Sequence, residues 1–413
     1  MASPAPQTMR PADLSRVPCV HAALEWIAGH ADWITDRQID LIEIPAPPFG
    51  EALRARALRD LLESSGWTPR IDREGNVVAE LPAARDGDGD VVLVSAHLDT
   101  AMVPTGPVQV RREGSRLLAP GITDNGAGLA ALVALASAFR AASIRTGLGV
   151  VFAGNVGEEG EGNLRGIRSL VADYGRRLKS VIVIDGASPD RIATAAIASR
   201  RIEVAITGPG GHSWADAGVP NPIHALGRAI SRMVSVPLSA DPLSTLNVTV
   251  VQGGTAINAI PSRASIKIDL RSESEAELDR LETEVRRAVD LGALAERESA
   301  RRSAPALAVE FHRLGARPAG RLSADSPLLG AIREVDRHLG IHAECQAAST
   351  DANVPLSLGI PAVCVGGGGT GGRAHSAEEW YDPAGRQIGV QRLLLTLLFI
   401  CGVGSGGGAG VDS

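Results

Sequence analysis

Seven polar residues stand where apolar runs of this chain end: His97, Asp99, Asp124, Glu158, Glu159, Asp185 and His375. His97 and Asp99 lie two apart, and the two-residue period of a strand turns both side chains the same way. Asp124 sits in Gly121-Ile122-Thr123-Asp124-Asn125-Gly126, a glycine-flanked turn opening an Ala- and Leu-rich stretch. A carboxylate there either caps a helix or points into a site. Two imidazoles and several carboxylates, with no thiolate among them, are a nitrogen and oxygen donor set that suits zinc and tolerates cobalt or manganese. These groups are too many for one tetrahedral ion. They divide between two ions sharing a bridging carboxylate, an arrangement in which a water between metals about 3.5–4 Å apart loses a proton at neutral pH. The neighbours Glu158 and Glu159 can point different ways, so one reads as a metal ligand and the other as a general base.

Taken singly, each residue has a plainer explanation. A His-x-Asp at a strand end is often a surface hydrogen-bonded pair, Glu-Glu is often solvated, and Asp-Gly after a strand is often a turn. Their joint occurrence behind apolar runs favours a site. The elements that must hold them follow an α/β rhythm. A helix is expected over 20–43 and another over 51–65, then a small hairpin over 67–81 and, after a polar loop at 86–90, a buried strand over 90–96. A helix over 126–142, a strand over 147–154, a helix near 164–174 and a strand over 180–184 continue it. This predicts an α/β fold with helices on both faces of a mixed sheet and ligands gathered at the strands' carboxyl ends.

From about residue 192 the pattern changes to strand, helix, two strands, helix, strand, with apolar and polar residues alternating, which predicts an inserted ferredoxin-like α+β domain. The α/β character then returns with a helix over 326–339, a strand over 360–365, the glycine-dense loop 366–372 and a final helix over 382–401. The expected organisation is a discontinuous catalytic domain, 1–193 and 322–403, an insert at 194–321 that serves as lid and dimerisation domain, and a disordered tail at 404–413. Gly366 to Gly369 lack the Gly-Lys-Ser/Thr ending of a phosphate loop, and suit a loop that lets substrate backbone approach.

With 413 residues and a formal net charge of −6, the chain has room for two domains and no basic stripe for nucleic acid. Its four cysteines are scattered, as in a protein with reduced thiols. The start is Pro-rich, loose and unlike a secretory signal, and the apolar run 393–403 is shorter than the ~20 residues of a membrane span. A cytoplasmic protein without a nucleic-acid or membrane partner is expected.

The series Ser95-Ala96-His97-Leu98-Asp99-Thr100, Thr123-Asp124-Asn125-Gly126, Gly157-Glu158-Glu159-Gly160, Asp185-Gly186, Gly211-His212-Ser213 and His375-Ser376-Ala377-Glu378-Glu379 resembles the aminoacylase, carboxypeptidase G and peptidase T type family of co-catalytic zinc peptidases and deacylases. The resemblance covers about residues 20–400. It implies two divalent ions, zinc foremost, with Asp124 as the bridge, His97 and Asp185 on one metal, and Glu159 and His375 on the other. It further implies Glu158 as general base, Asp99 as the carboxylate that orients His97, and a cis peptide at Asp124-Asn125. His212 would donate to the oxyanion, commonly from the partner subunit of a homodimer, while Asn258 and Arg271 would grip the polar end of the substrate. The aspartate at 185 tilts the reading towards an exopeptidase of short peptides. An N-acyl-amino-acid deacylase of acetylornithine or succinyl-diaminopimelate type is the alternative, and a non-catalytic metal-binding or regulatory homologue is the reading from another class. A mono-metal carbamoyl-amide hydrolase is a third possibility.

Overall fold

A computed structural model of the protein describes residues 9–84, 89–102, 106–302 and 305–404. Most of the expected loop at 86–90 and nearly all of the expected tail lie outside the described residues. The chain divides into two compact units, Met1–Ala195 with Arg321–Ser413, and Ala196–Gly320. Among the described residues, no helix is long and apolar enough to cross a membrane.

In the first unit, three parallel strands lie side by side, with Val91–His97 between Gly149–Asn155 and Leu178–Ile184. Their near-continuous Val, Leu, Ile and Ala sequences reflect burial on both faces, and every residue of Val91–His97 is buried. Val77–Leu81 adds antiparallel on one side. On the other, Ala362–Val365 inserts parallel to Leu178–Ile184 and antiparallel to Arg191–Ala196. The sheet is therefore mixed. Helix Gly126–Ala141 packs against its central strands and against Ala31–Ile42 and Pro18–Gly29, and small Ala side chains allow that close burial on several sides.

Some elements differ from expectation. The stretch 20–43 is two helices, Pro18–Gly29 and Ala31–Ile42, broken at His30 with φ −115°. The His30 ring stacks on Trp26 and its Nδ1 donates to the Trp26 carbonyl at 2.7 Å, the acceptor that a continuous helix would offer to the His30 N–H. The start of the chain is not loose throughout, since Pro11–Leu14 is a helical turn with Leu14 buried. The last helix begins at Arg386, and Trp380–Asp382 is instead a strand between Thr370–Gly372 and Arg116–Leu118. Strands of three residues are too short for alternation to reveal. Gly402–Gly404 are also ordered, bonded through the backbone to Arg145 and Gly147.

The second unit holds strands Ala198–Thr207, Ser244–Gly253, Arg263–Ser272 and Ala308–Arg317 in one antiparallel sheet, in the spatial order second, third, first, fourth. With helices Pro222–Met233 and Glu275–Ser299 packed on it, this is the ferredoxin-like arrangement. One core collects Ile202, Val204, Ile206, Ile266, Ile268 and Leu270 from the strands with Leu226, Leu281 and Val285 from the helices.

Candidate metal centre

Three adjacent parallel strands of the first unit end together, and the candidate ligands stand where they end. His97 is the last residue of its strand and pairs in register with Asn155, the last of the next strand. Asp185 follows Ile184, the last of the third. Glu158 and Glu159 follow Asn155 by three and four residues, and both are buried.

His97 Nε2 lies 3.0 Å from Asp124 Oδ1 and 3.7 Å from Asp185 Oδ1. His375 Nε2 lies 3.1 Å from Asp124 Oδ2 and 2.9 Å from Glu159 Oε1. The two oxygens of Asp124 thus face two different histidines. The same division appears among donor atoms within 4.8 Å of one another: His97, Asp124 and Asp185 form one group, and Asp124, Glu159 and His375 another, while His97 also groups with Glu158 and Glu159.

Burial pushes the Asp124 carboxyl up, but His375 and His97 outweigh that and hold it well below the usual carboxylate range. Burial lowers His97, and contacts with Asp124, Asp185 and Asp99 raise it well above the usual imidazole value. Hydrogen bonds to Asp124 and Glu159 push His375 up to about 11. The charge balance fits divalent cations. Asp99, Asp124, Glu158, Glu159 and Asp185, all buried or mostly buried, outnumber the cationic groups that His97, His375 and the nearby buried Arg54 can supply, and such a surplus of negative charge calls for a metal or protons.

Asp99 does more than face His97. Its Oδ1 is 3.5 Å from His97 Nδ1, while the nearer partner of Nδ1, at 3.1 Å, is the Asp99 carbonyl. Its two carboxylate oxygens accept the backbone N–H groups of Glu158 at 3.0 Å and Glu159 at 2.7 Å. One buried side chain therefore latches the end of the central strand to the Glu-Glu turn.

The expected cis peptide at Asp124-Asn125 is present, but the hydrogen bonds that Asn125 and Glu379 make were not expected from the sequence. Asn125, joined to Asp124 by a cis peptide, caps the following helix by accepting the Gly128 N–H, and its Nδ2 donates to the Ile184 carbonyl at 2.8 Å. It ties the Asp124 loop to the strand that carries Asp185. A Cβ at Gly128 would meet Asn125 Oδ1 at 2.1 Å, so the helix start needs glycine there. Glu379 is buried, and its carboxylate accepts the backbone N–H groups of Gly121, Thr123 and Asp124 at 2.7–2.9 Å. Burial pushes its carboxyl up to about 7 against these donors. The signal lay in the His375-Ser376-Ala377-Glu378-Glu379 segment, where the last glutamate reads as surface unless the Asp124 loop is known to need an acceptor. Glu379→Gln replaces one of two acceptor oxygens with an amide donor facing N–H groups. A loss of about 2–3 kcal/mol in chemical denaturation, with weakened metal binding, is the expected outcome.

Asp351, in the segment 349–353, is fully buried and its Oδ2 accepts from Asn155 Nδ2 at 2.7 Å. The glycine loop is also closely packed against neighbouring backbone at several positions. A Cβ at Gly366 would meet the Ser188 carbonyl at 2.3 Å, one at Gly367 the Ala127 carbonyl at 2.7 Å, and one at Gly368 the Arg386 carbonyl at 2.3 Å.

The remaining candidates belong to the Ala196–Gly320 unit. Gly211–His212 pairs with Ala259–Ile260, and the Ser213 N–H donates to the Asn258 carbonyl at 3.0 Å, so His212 and Asn258 share one exposed ribbon. His212 Nδ1 accepts the N–H groups of Trp214 and Ala215 at 3.1 and 3.3 Å, which puts a neutral ring's proton on Nε2 and makes that atom a donor. Arg271 lies further along, in Arg263–Ser272, and its Nε donates to Asp269 at 2.7 Å.

Residues 93–398 match the model of peptidase family M20/M25/M40. A succinyl-diaminopimelate desuccinylase of Paracoccus denitrificans is 32% identical over 250 residues, covering 54% of this chain and 64% of that protein, so the chain spans less than two thirds of that relative's length. Among solved structures, a tripeptidase of Staphylococcus aureus superposes with a TM-score of 0.72 at 20% identity, over 90% of this chain and 98% of that one. A Bacillus subtilis protein described as a dinuclear metal binding peptidase does so with a TM-score of 0.64 at 19% identity, over 91% and 99%. At these identities the two structures speak for the fold.

Proposed function

The chain belongs to peptidase family M20/M25/M40, whose members are metal-dependent hydrolases, and on that premise we propose that it cleaves an amide bond in short peptides as a cytoplasmic exopeptidase with two divalent cations, zinc foremost. The observation that carries the reading is Asp124, whose two carboxylate oxygens face two separate groups of donors. His97 and Asp185 would hold one cation with it, Glu159 and His375 the other. The cations, when bound, would polarise the scissile carbonyl and acidify a water.

The chain's own residues do the rest. Glu158, held at its backbone by Asp99 and grouped with His97 and Glu159, accepts the proton of the attacking water and returns it to the leaving amine. His212 presents Nε2–H to the oxygen on which charge develops. Asn258 and Arg271 hold the substrate's polar end, Arg271 through its forked donors. A homodimer formed through the insert is part of this reading. It is supported by the outer edge of Ser244–Gly253 in its sheet and by exposed Trp214, Val251 and Ile257.

A desuccinylase among the relatives makes N-acyl-amino-acid deacylation the second reading. Assay of di- and tripeptides beside N-acetyl and N-succinyl amino acids, with zinc, cobalt or manganese added, separates the two. Turnover of peptides alone supports the first and turnover of acyl amino acids alone the second, while inactivity with every metal would leave a binding module. His212→Ala should lower turnover by about 10²–10³-fold at unchanged metal content, as read by steady-state kinetics and elemental analysis; unaltered kinetics would remove it from the site.

A further inference from the structure

Beside Asp185 the first unit opens a cavity of about 460 Å³, lined by Ser188, Arg191, Gln346, Thr350 and Arg373 among others. That size suits a small acyl group or amino-acid side chain. Of the charged side chains lining it, Asp185 is committed to the metal group with His97 and Asp124, which leaves Arg191 and Arg373. Arg373 stands two residues before His375 in a left-handed backbone conformation, φ +58°.

Neither arginine is locked to its partner. Arg373 Nη1 lies 3.0 Å from Glu378 Oε2, with side chains 63% and 72% exposed. Arg191 Nε lies 3.6 Å from Asp190 Oδ1, with 66% and 60% exposed, and that oxygen already accepts the Ser188 hydroxyl at 2.6 Å. Exposed pairs of this kind contribute little, so an incoming carboxylate can take the partner's place. A guanidinium fork lining a concave site is the side chain best matched to a carboxylate. Gln346 and Thr350 add neutral hydrogen-bonding groups to the same wall.

We propose that Arg191 and Arg373 are specificity residues that hold a second carboxylate of the substrate. The preferred amides then carry an anionic group on the part entering this cavity, either an acidic residue or a dicarboxylic acyl group. This rests on the amide hydrolysis proposed above, and deepens it.

Two matched pairs distinguish the sources of that carboxylate: N-succinyl-alanine against N-butyryl-alanine, and an aspartyl dipeptide against its alanyl counterpart, each with metal-loaded protein. In the pair that reports the true source, kcat/KM should favour the charged member by about tenfold or more. Arg373→Gln and Arg191→Gln should each reduce that advantage severalfold, with the neutral member changed less than about threefold. A binding measurement needs no turnover. Succinate and butyrate each offer one carboxylate to a metal, and calorimetry should find succinate bound more tightly, with the difference shrinking in both variants. Arg191 lies far along the chain from His375, so its variant decides the matter should Arg373→Gln disturb metal content. Equal treatment of charged and neutral members in both assays, or a charge preference that both variants retain, overturns the proposal. Absence of any amide hydrolysis would fail the underlying reaction alone, and the succinate and butyrate comparison would still decide the role of the arginines.

Discussion

Glu158→Gln should keep its metals and lose turnover by about 10³-fold or more, the range expected when a general base is neutralised and its water is no longer held. The substitution is nearly isosteric, and the hydrogen bond that fixes residue 158 uses its backbone N–H and the Asp99 carboxylate, so the turn stays latched. The substitution replaces the carboxylate proposed to accept the proton with an amide that cannot. Elemental analysis beside steady-state kinetics separates this outcome from metal loss. A variant that stays active would shift the base to Glu159, the other glutamate latched by Asp99.

Asp124→Ala should empty both metal positions together. Its oxygens face His97 on one side and His375 and Glu159 on the other, so truncation takes a ligand from both groups at once. His375→Ala, by contrast, should cost one metal, because Asp124, His97 and Asp185 remain on the other side. Activity should be abolished in Asp124→Ala and strongly reduced in His375→Ala, and metal stoichiometry is the reading that would tell a bridge from a terminal ligand. A single lost metal in Asp124→Ala would mean that the two groups do not share it.

The legible part of this molecule was written in apolar runs and in the residues that end them. Val91–His97, Gly149–Asn155 and Leu178–Ile184 are buried on both faces, so each is an unbroken run, and the polar residue at or just past its end stands out. The insert was legible for the opposite reason, since strands with a wet face alternate. What escaped notice acts through backbone groups. Glu379 and Asn125 bond main-chain N–H and C=O groups of segments more than fifty residues distant, and no spacing in a sequence encodes that. The small sheet formed by Arg111–Glu113, Arg116–Leu118, Thr370–Gly372 and Trp380–Asp382 has strands too short to show a period. The glycines at 366–368 leave no space for a Cβ because neighbouring carbonyls approach them closely, and no spacing in the sequence reveals that.

The placement of Ala362–Val365 bears on how this protein is made. An interior strand of the large sheet comes from the far side of the insert, parallel to Leu178–Ile184 and antiparallel to Arg191–Ala196. During synthesis from the amino end, residues up to about 360 leave the ribosome before that strand exists, and Leu178–Ile184 meanwhile presents an unfilled apolar edge. Growth of the chain through the insert thus prolongs the interval in which a nascent molecule can pair with a neighbour. Chaperone dependence and inclusion-body formation should accordingly track truncations before residue 362 far more than truncations after 401.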